Sequence, residues 1–71
     1  MAKVKPIRVR LLFDLSAGMV RSVKSYVTRV RAHKLERLLA DVRNEGYTHK
    51  RRDGSKVYIP PFKFLYAEIE P

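Results

Sequence analysis

The absence of cysteine from a chain of 71 residues limits how its fold can be held together. Disulfides and thiolate-bound metals are excluded, and a domain of this length lies near the lower limit at which a single apolar core is stable without them. Hydrophobic residues make up 45% of the sequence, which is enough for a folded core and argues against disorder. We therefore predict one domain spanning residues 1–71, to which homodimer formation would add buried area.

The N-terminal segment combines a basic arm with the pattern of a strand. Residues 1–6 contain Lys3 and Lys5, and nothing in the sequence ties this arm to the rest of the domain. From Ile7 to Leu11, apolar and charged residues alternate with a period of two, which indicates a half-buried strand. Arg8 and Arg10 would lie on its outward face.

From Ser16 the apolar residues recur at the spacing of a helix. Valines stand at positions 20, 23, 27 and 30, and a second stripe of leucines and valine occupies positions 35, 38, 39 and 42. The two stripes are out of phase, which favours a break near residues 31–33 and hence two helices. A single bent helix from Ser16 to Glu45 is the alternative that the sequence leaves open. Gly46 is a natural C-terminal stop.

The last third of the chain predicts a hairpin followed by a strand. Asp53-Gly54 between two β-forming segments is a strong signal for a two-residue hairpin loop. Such a loop would place Arg51 opposite Lys56 and His49 opposite Tyr58. Pro60-Pro61 would end the hairpin. A final strand from Phe62 to Ile69, with apolar residues on both faces, would be buried or paired centrally. The predicted fold is a small single α+β domain in the order strand-helix-helix-hairpin-strand.

The distribution of charge favours a nucleic-acid partner. The formal net charge is +9, nine of the 16 Lys and Arg residues lie within residues 1–34 beside a single acid, and a second basic cluster flanks the Asp53-Gly54 turn. Such a field attracts polyanions, of which phosphate backbones are the commonest. The candidate nucleic-acid-binding residues are Lys3, Lys5, Arg8, Arg10, Arg21, Lys24, His49, Lys50, Arg51, Arg52, Lys56 and Tyr58.

The sequence shows no catalytic or cofactor-binding motif. Two histidines without cysteine are a weak metal set, Ser22 and Ser25 have no histidine at helical spacing to activate them, and the three glycines form no phosphate-binding loop. The apolar runs are too short for a membrane span or a signal peptide. We therefore expect a non-catalytic protein without metal or cofactor, in the reducing cytoplasm.

The first 46 residues resemble the ribbon-helix-helix DNA-binding family, to which Arc-type repressors belong. The resemblance rests on the strand pattern of residues 7–11, a helix from about Ser16 and a second helix through the stripe from Leu35 to Val42. It implies an obligate homodimer whose paired strands enter the major groove, with Arg8 and Arg10 at the base-reading positions.

Residues 38–59 are also similar to the helix and wing of winged-helix proteins, an arrangement shared by small phage excisionases. That resemblance implies that Arg51, Arg52 and Lys56 contact phosphates or the minor groove.

We predict a homodimeric DNA-binding protein that acts as a transcriptional regulator or an architectural accessory factor. One alternative is an RNA-binding module that stacks bases on a hairpin face made of Tyr47, His49, Arg51, Lys56 and Tyr58. Another is a basic protein-interaction module, such as a viral regulator that docks on an acidic surface of a nucleic-acid machine.

Overall fold

The structure, a computed structural model, describes residues 5–70. Lys3 and the rest of residues 1–4 therefore lie outside the described residues, as does Pro71. The elements in chain order are β1 (Ile7–Asp14), β2 (Val23–Val30), α1 (Leu35–Glu45), β3 (Tyr47–Lys50), β4 (Lys56–Ile59) and β5 (Phe64–Glu70), with short 3-10 turns at Ala32–Lys34 and Pro61–Lys63. The α+β class is confirmed. The predicted strand-helix-helix order is wrong, because the described residues contain a single α-helix and the first predicted helix is β2.

Strand β2 forms because its side chains suit a pleated surface and a partner strand lies beside it. Val, Tyr and Thr are strand-favouring residues, and β2 pairs with β1 along its whole length, from Ile7 opposite Val30 to Asp14 opposite Val23. The valines that suggested a helical stripe do not share a buried face, since Val23 and Val27 are 59% and 41% exposed. The helix that the ribbon-helix-helix resemblance requires from about Ser16 is therefore absent from the described residues.

Three strands form an antiparallel sheet in the order β2-β1-β5. Strand β1 is central, so both of its hydrogen-bonding edges are paired within the chain. The β1–β5 register shifts between Leu12 and Phe13. Strand β5 lies at an edge, contrary to the central position predicted for the final strand, and Leu65 and Tyr66 are about half exposed.

The core lies on one face of this sheet. Val9, Leu11 and Phe13 of β1 are fully buried against Val42 of α1 and Ile59 of β4. Burying each such side chain contributes about 1.5–3 kcal/mol. Three aromatic rings surround Phe13. Its ring centroid lies 5.9 Å from that of Tyr26, 5.7 Å from that of Tyr47 and 5.6 Å from that of Phe64. The alternation predicted for β1 is confirmed, because its odd-numbered residues make the core and its arginines lie on the other face.

Helix α1 covers the core with the second apolar stripe, as the sequence predicted. Leu35, Leu38 and Leu39 are partly buried around Val42. The helix ends at Gly46, whose N–H donates to the Val42 carbonyl oxygen at 3.1 Å. No helix within residues 5–70 is long and apolar enough to cross a membrane.

Candidate nucleic-acid interface

The hairpin of β3 and β4 carries the densest group of cations, and its loop is one residue longer than predicted. The Arg51 N–H donates to the Ser55 carbonyl oxygen at 2.8 Å, and the Gly54 N–H donates to the Arg51 carbonyl oxygen at 3.1 Å. Lys50 therefore lies opposite Lys56, and the predicted pairing of Arg51 with Lys56 is wrong. A two-residue Asp-Gly loop needs a positive φ at both residues, whereas only Gly54 has one, at 92°.

The side chain of Asp53 stabilises this longer loop. Its Oδ1 atom accepts hydrogen bonds from the Ser55 N–H at 2.9 Å and from the Ser55 hydroxyl at 2.6 Å. These bonds favour the charged carboxylate and lower the pKa of Asp53 below its ordinary value. The only acid of the loop is thus engaged with Ser55.

The shift in register separates the aromatic residues that the sequence had placed on one face. His49 lies opposite Val57, and Thr48 lies opposite Tyr58, so the predicted pairing of His49 with Tyr58 is also wrong. Because side chains alternate along a strand, His49 and Tyr47 face the core while Tyr58 lies on the other side. The mixed face of Tyr47, His49, Arg51, Lys56 and Tyr58 does not form.

Tyr47 and His49 are partly buried and pack against other rings. The Tyr47 ring stacks on Phe13 at 5.7 Å, and the His49 ring lies 4.7 Å from that of Tyr26. Burial raises the pKa of the Tyr47 phenol. Tyr58 remains 60% exposed, although its hydroxyl donates to the Glu45 carbonyl oxygen at 2.7 Å.

We define the basic loop group as Lys50, Arg51, Arg52 and Lys56. All four residues are exposed, and within residues 5–70 none of them forms an ion pair. Lys50 directly opposite Lys56 is a like-charge cross-strand pair, which destabilises the hairpin. An anion bound between the ammonium groups of Lys50 and Lys56 would remove that penalty.

Arg8 and Arg10 point outward from β1, as predicted, but carboxylates of β5 lie beside them. Arg8 Nε is 3.6 Å from Glu70 Oε2, Arg10 Nη1 is 3.8 Å from Glu68 Oε2, and Arg10 Nη2 is 3.4 Å from Glu70 Oε1. These acids largely neutralise the two arginines. The acidic C-terminal segment was visible in the sequence, but its register beside β1 was not.

The remaining candidates lie elsewhere on the surface. Lys5 is exposed just before β1, and Arg21 and Lys24 are exposed on the far part of the β1–β2 hairpin. The apolar residues at the end of that hairpin, Met19 and Val20, were missed because they were assigned to a helix. Gly18 between two strand-favouring segments was the signal that could have revealed a turn there.

Comparison with protein-family models, with curated protein sequences and with solved structures finds no match. Within residues 5–70, no group of three or more His, Cys, Asp or Glu side chains could hold a metal ion.

Proposed function

We propose that this chain is a non-catalytic DNA-binding protein that grips the phosphate backbone with its basic loop group. The observation that carries the proposal is the placement of Lys50 opposite Lys56, with the exposed Arg51 and Arg52 next to Lys50 in the chain. Four cations are concentrated on one short hairpin, and no carboxylate in the described part of the chain pairs with them. A bound phosphate would relieve their mutual repulsion. Backbone contacts of this kind supply most of the affinity of simple DNA-binding modules.

Duplex DNA suits this hairpin better than a single strand does. Single-strand binding relies on exposed rings on which bases stack, whereas Tyr47 and His49 are packed against Phe13 and Tyr26. The major groove of B-form DNA admits a two-stranded ribbon, while that of A-form RNA is too narrow for side-chain access. The geometry of the hairpin thus favours duplex DNA.

The proposal extends to a cytoplasmic role as a transcriptional regulator or an architectural accessory factor, and to a homodimer. Within residues 5–70, five fully buried side chains make a small core, and an interface between two copies would add buried area. Sedimentation velocity at tens of micromolar protein tests this part directly. A mass of two chains supports the homodimer, and a mass of one chain contradicts it.

The direct test is fluorescence-anisotropy binding to duplex DNA, single-stranded DNA and structured RNA, each over a salt series. We expect the tightest binding to the duplex, with log affinity falling by about 0.9 per log unit of salt for each phosphate contacted, so that four cations account for a slope of about −3.6. Weak binding to all three polymers would contradict the proposal and would point to a protein partner for the positive charge.

RNA binding is a second candidate, because Tyr58 remains exposed on the same side of the hairpin as Lys50 and Lys56. The variants Tyr58→Ala and Tyr58→Phe separate the two functions. The phenylalanine variant keeps the ring and loses the hydroxyl bond to Glu45, so it controls for the structural role of Tyr58. If only Tyr58→Ala weakens single-stranded RNA binding, and does so more than duplex binding, the RNA function gains.

A further inference from the structure

The β1–β2 hairpin continues as a two-stranded arm beyond the end of the sheet. Strand β5 accompanies β1 only from Arg8 to Phe13. Beyond that point the Leu15 N–H donates to the Ser22 carbonyl oxygen at 2.8 Å, and Ala17 and Val20 exchange two backbone hydrogen bonds at 3.0 Å. At about 3.3 Å per residue, the arm from Asp14 to the Gly18-Met19 turn is about 15 Å long.

Side-chain hydrogen bonds order this arm. The Ser16 hydroxyl oxygen accepts the Ser22 N–H at 3.0 Å, and the Ser16 N–H donates to Asp14 Oδ1 at 3.0 Å. Together with the backbone bonds across the ribbon, they give a preorganised projection. A preorganised element loses less conformational entropy when it binds a partner.

The end of the arm joins exposed apolar side chains to exposed cations. Met19 is fully exposed, and Val20 and Val23 are 69% and 59% exposed. Arg21 and Lys24 are also exposed beside them. The nearby acid, Asp14, is engaged with Ser16. The apolar tip is therefore followed directly by two exposed cations on the returning strand, a combination that suits a polyanion with an apolar interior.

We propose that the arm is a wedge that inserts Met19 between base pairs of duplex DNA and bends it, while Arg21 and Lys24 contact the flanking phosphates. This inference rests on the proposed DNA-binding function. Proteins that bend DNA insert apolar side chains, methionine among them, at base steps. The unbranched and polarisable methionine side chain adapts to an irregular gap. The cost of unstacking is offset by the added contacts, since the basic loop group holds the same duplex through a different hairpin.

The test uses a short duplex rich in TA and CA steps, which unstack most easily. Donor and acceptor dyes at its two ends report bending, and 2-aminopurine placed at the central steps reports unstacking. The variants are Met19→Ala, Met19→Leu and, as a matched control, Phe62→Ala. Phe62 is another apolar side chain, 79% exposed, in the turn between β4 and β5. Both positions are exposed, so these variants should fold, and thermal unfolding followed by circular dichroism checks this.

We expect the native chain to raise both energy transfer and 2-aminopurine fluorescence. Met19→Ala should reduce both changes by about half or more, because alanine is too short to occupy a base step. Met19→Leu and Phe62→Ala should preserve both changes. The affinity of Met19→Ala should still decrease steeply with salt, since the basic loop group is unaltered.

The outcomes separate this inference from the function on which it rests. Salt-dependent duplex binding without bending, or bending that Met19→Ala leaves unchanged, would overturn the wedge and leave the DNA-binding function standing. An absence of duplex binding would overturn both.

A labelled variant tests whether Met19 enters a lipid membrane instead of DNA. The chain has no cysteine, so Met19→Cys accepts a single environment-sensitive dye. A blue shift with duplex DNA supports the wedge, and a blue shift only with phosphatidylglycerol vesicles would overturn it.

Discussion

Two groups of cations that look alike in the sequence have opposite surroundings in the folded chain. Arg8 and Arg10 alternate with apolar residues on β1, and the basic loop group lies on the β3–β4 hairpin. The arginines of β1 lie within 3.4–3.8 Å of Glu68 and Glu70. In the loop group Lys50 lies opposite Lys56, and none of the four cations forms an ion pair within residues 5–70.

The difference shows that neighbouring cations in a sequence are compensated or left uncompensated by the carboxylates that the fold places beside them. Ion pairs between exposed side chains add little to stability, so the pairs of β1 matter mainly because they reduce the field on the outer face of the sheet. The like-charge pair of Lys50 and Lys56 has the reverse effect, because it raises the local field at a small cost in stability. If the contrast holds, removing the loop cations will weaken binding to an anion far more than removing the arginines of β1.

The largest effect is expected from removal of the basic loop group. The quadruple variant Lys50→Gln, Arg51→Gln, Arg52→Gln, Lys56→Gln should lose at least about 100-fold in affinity for duplex DNA at low salt, and its salt slope should become shallower by about 3 to 4. Fluorescence anisotropy measures both quantities. Its thermal midpoint should not fall, because the repulsion between Lys50 and Lys56 is also removed.

The matched control is the double variant Arg8→Gln, Arg10→Gln, for which we expect an affinity loss below about threefold. The contrast between the two groups would be refuted if this control lost as much affinity as the quadruple variant.

The second effect concerns Gly46, which joins α1 to the basic hairpin. Its φ is +92°, and an added Cβ atom would collide with the Ile59 carbonyl oxygen. We expect Gly46→Ala to lower the free energy of unfolding by about 3 kcal/mol. Gly54→Ala, at the same φ but with open space around the Cβ position, should cost about 1 kcal/mol from backbone strain alone. Urea denaturation measures both, and equal costs would show that the close approach to Ile59 does not constrain the hairpin.

A smaller effect should follow when the arginines of β1 are released from their partners. The double variant Glu68→Gln, Glu70→Gln should bind duplex DNA about threefold more tightly at low salt, because two negative charges are lost beside Arg8 and Arg10. Its free energy of unfolding should change by less than about 1 kcal/mol, since these side chains are exposed. Anisotropy at low and high salt provides the measurement. A gain that persisted unchanged at high salt would not be electrostatic, which would contradict this account.

The smallest expected effect is a change in the pKa of Asp53 when Ser55 is replaced. Its hydrogen bonds from Ser55 lower the pKa of this carboxyl below 3.8, so the order they give the loop is present above that value and is lost as the pH falls through the lowered pKa. NMR titration of the carboxyl carbon measures the shift. Ser55→Ala should return the pKa toward its ordinary value, and an unchanged titration in that variant would exclude Ser55 as the cause.

Several elements of the fold were predictable because their signals are local. The alternation from Ile7 to Leu11 and the stripe from Leu35 to Val42 match the periods of a strand and a helix. Asp53-Gly54 located the second hairpin. Its exact register was not predictable, because the choice between a two-residue and a three-residue loop depends on whether the Asp53 backbone adopts a positive φ.

The candidate site was predictable in part. The sequence showed the basic loop group as a cluster, because its members are close neighbours in the chain. It did not show that Tyr47 and His49 would pack against the core, since their contacts with Phe13 and Tyr26 are between distant segments. It also hid the arm that ends at Met19, because valines spaced by three and four residues are compatible with both a helix and a strand.

By itself, the sequence determined the α+β class, helix α1, the strand alternation of β1 and the position of the basic hairpin, since the backbone periods that set these features act over a few residues. Tertiary structure alone decided that residues 23–30 form a strand, that Arg8 and Arg10 are neutralised, and which hairpin side chains face the core. Each of these outcomes depends on a partner from a distant part of the chain. The physical reason is that a strand satisfies its backbone hydrogen bonds only through a second strand, so its identity and the charges beside it are settled when the sheet assembles.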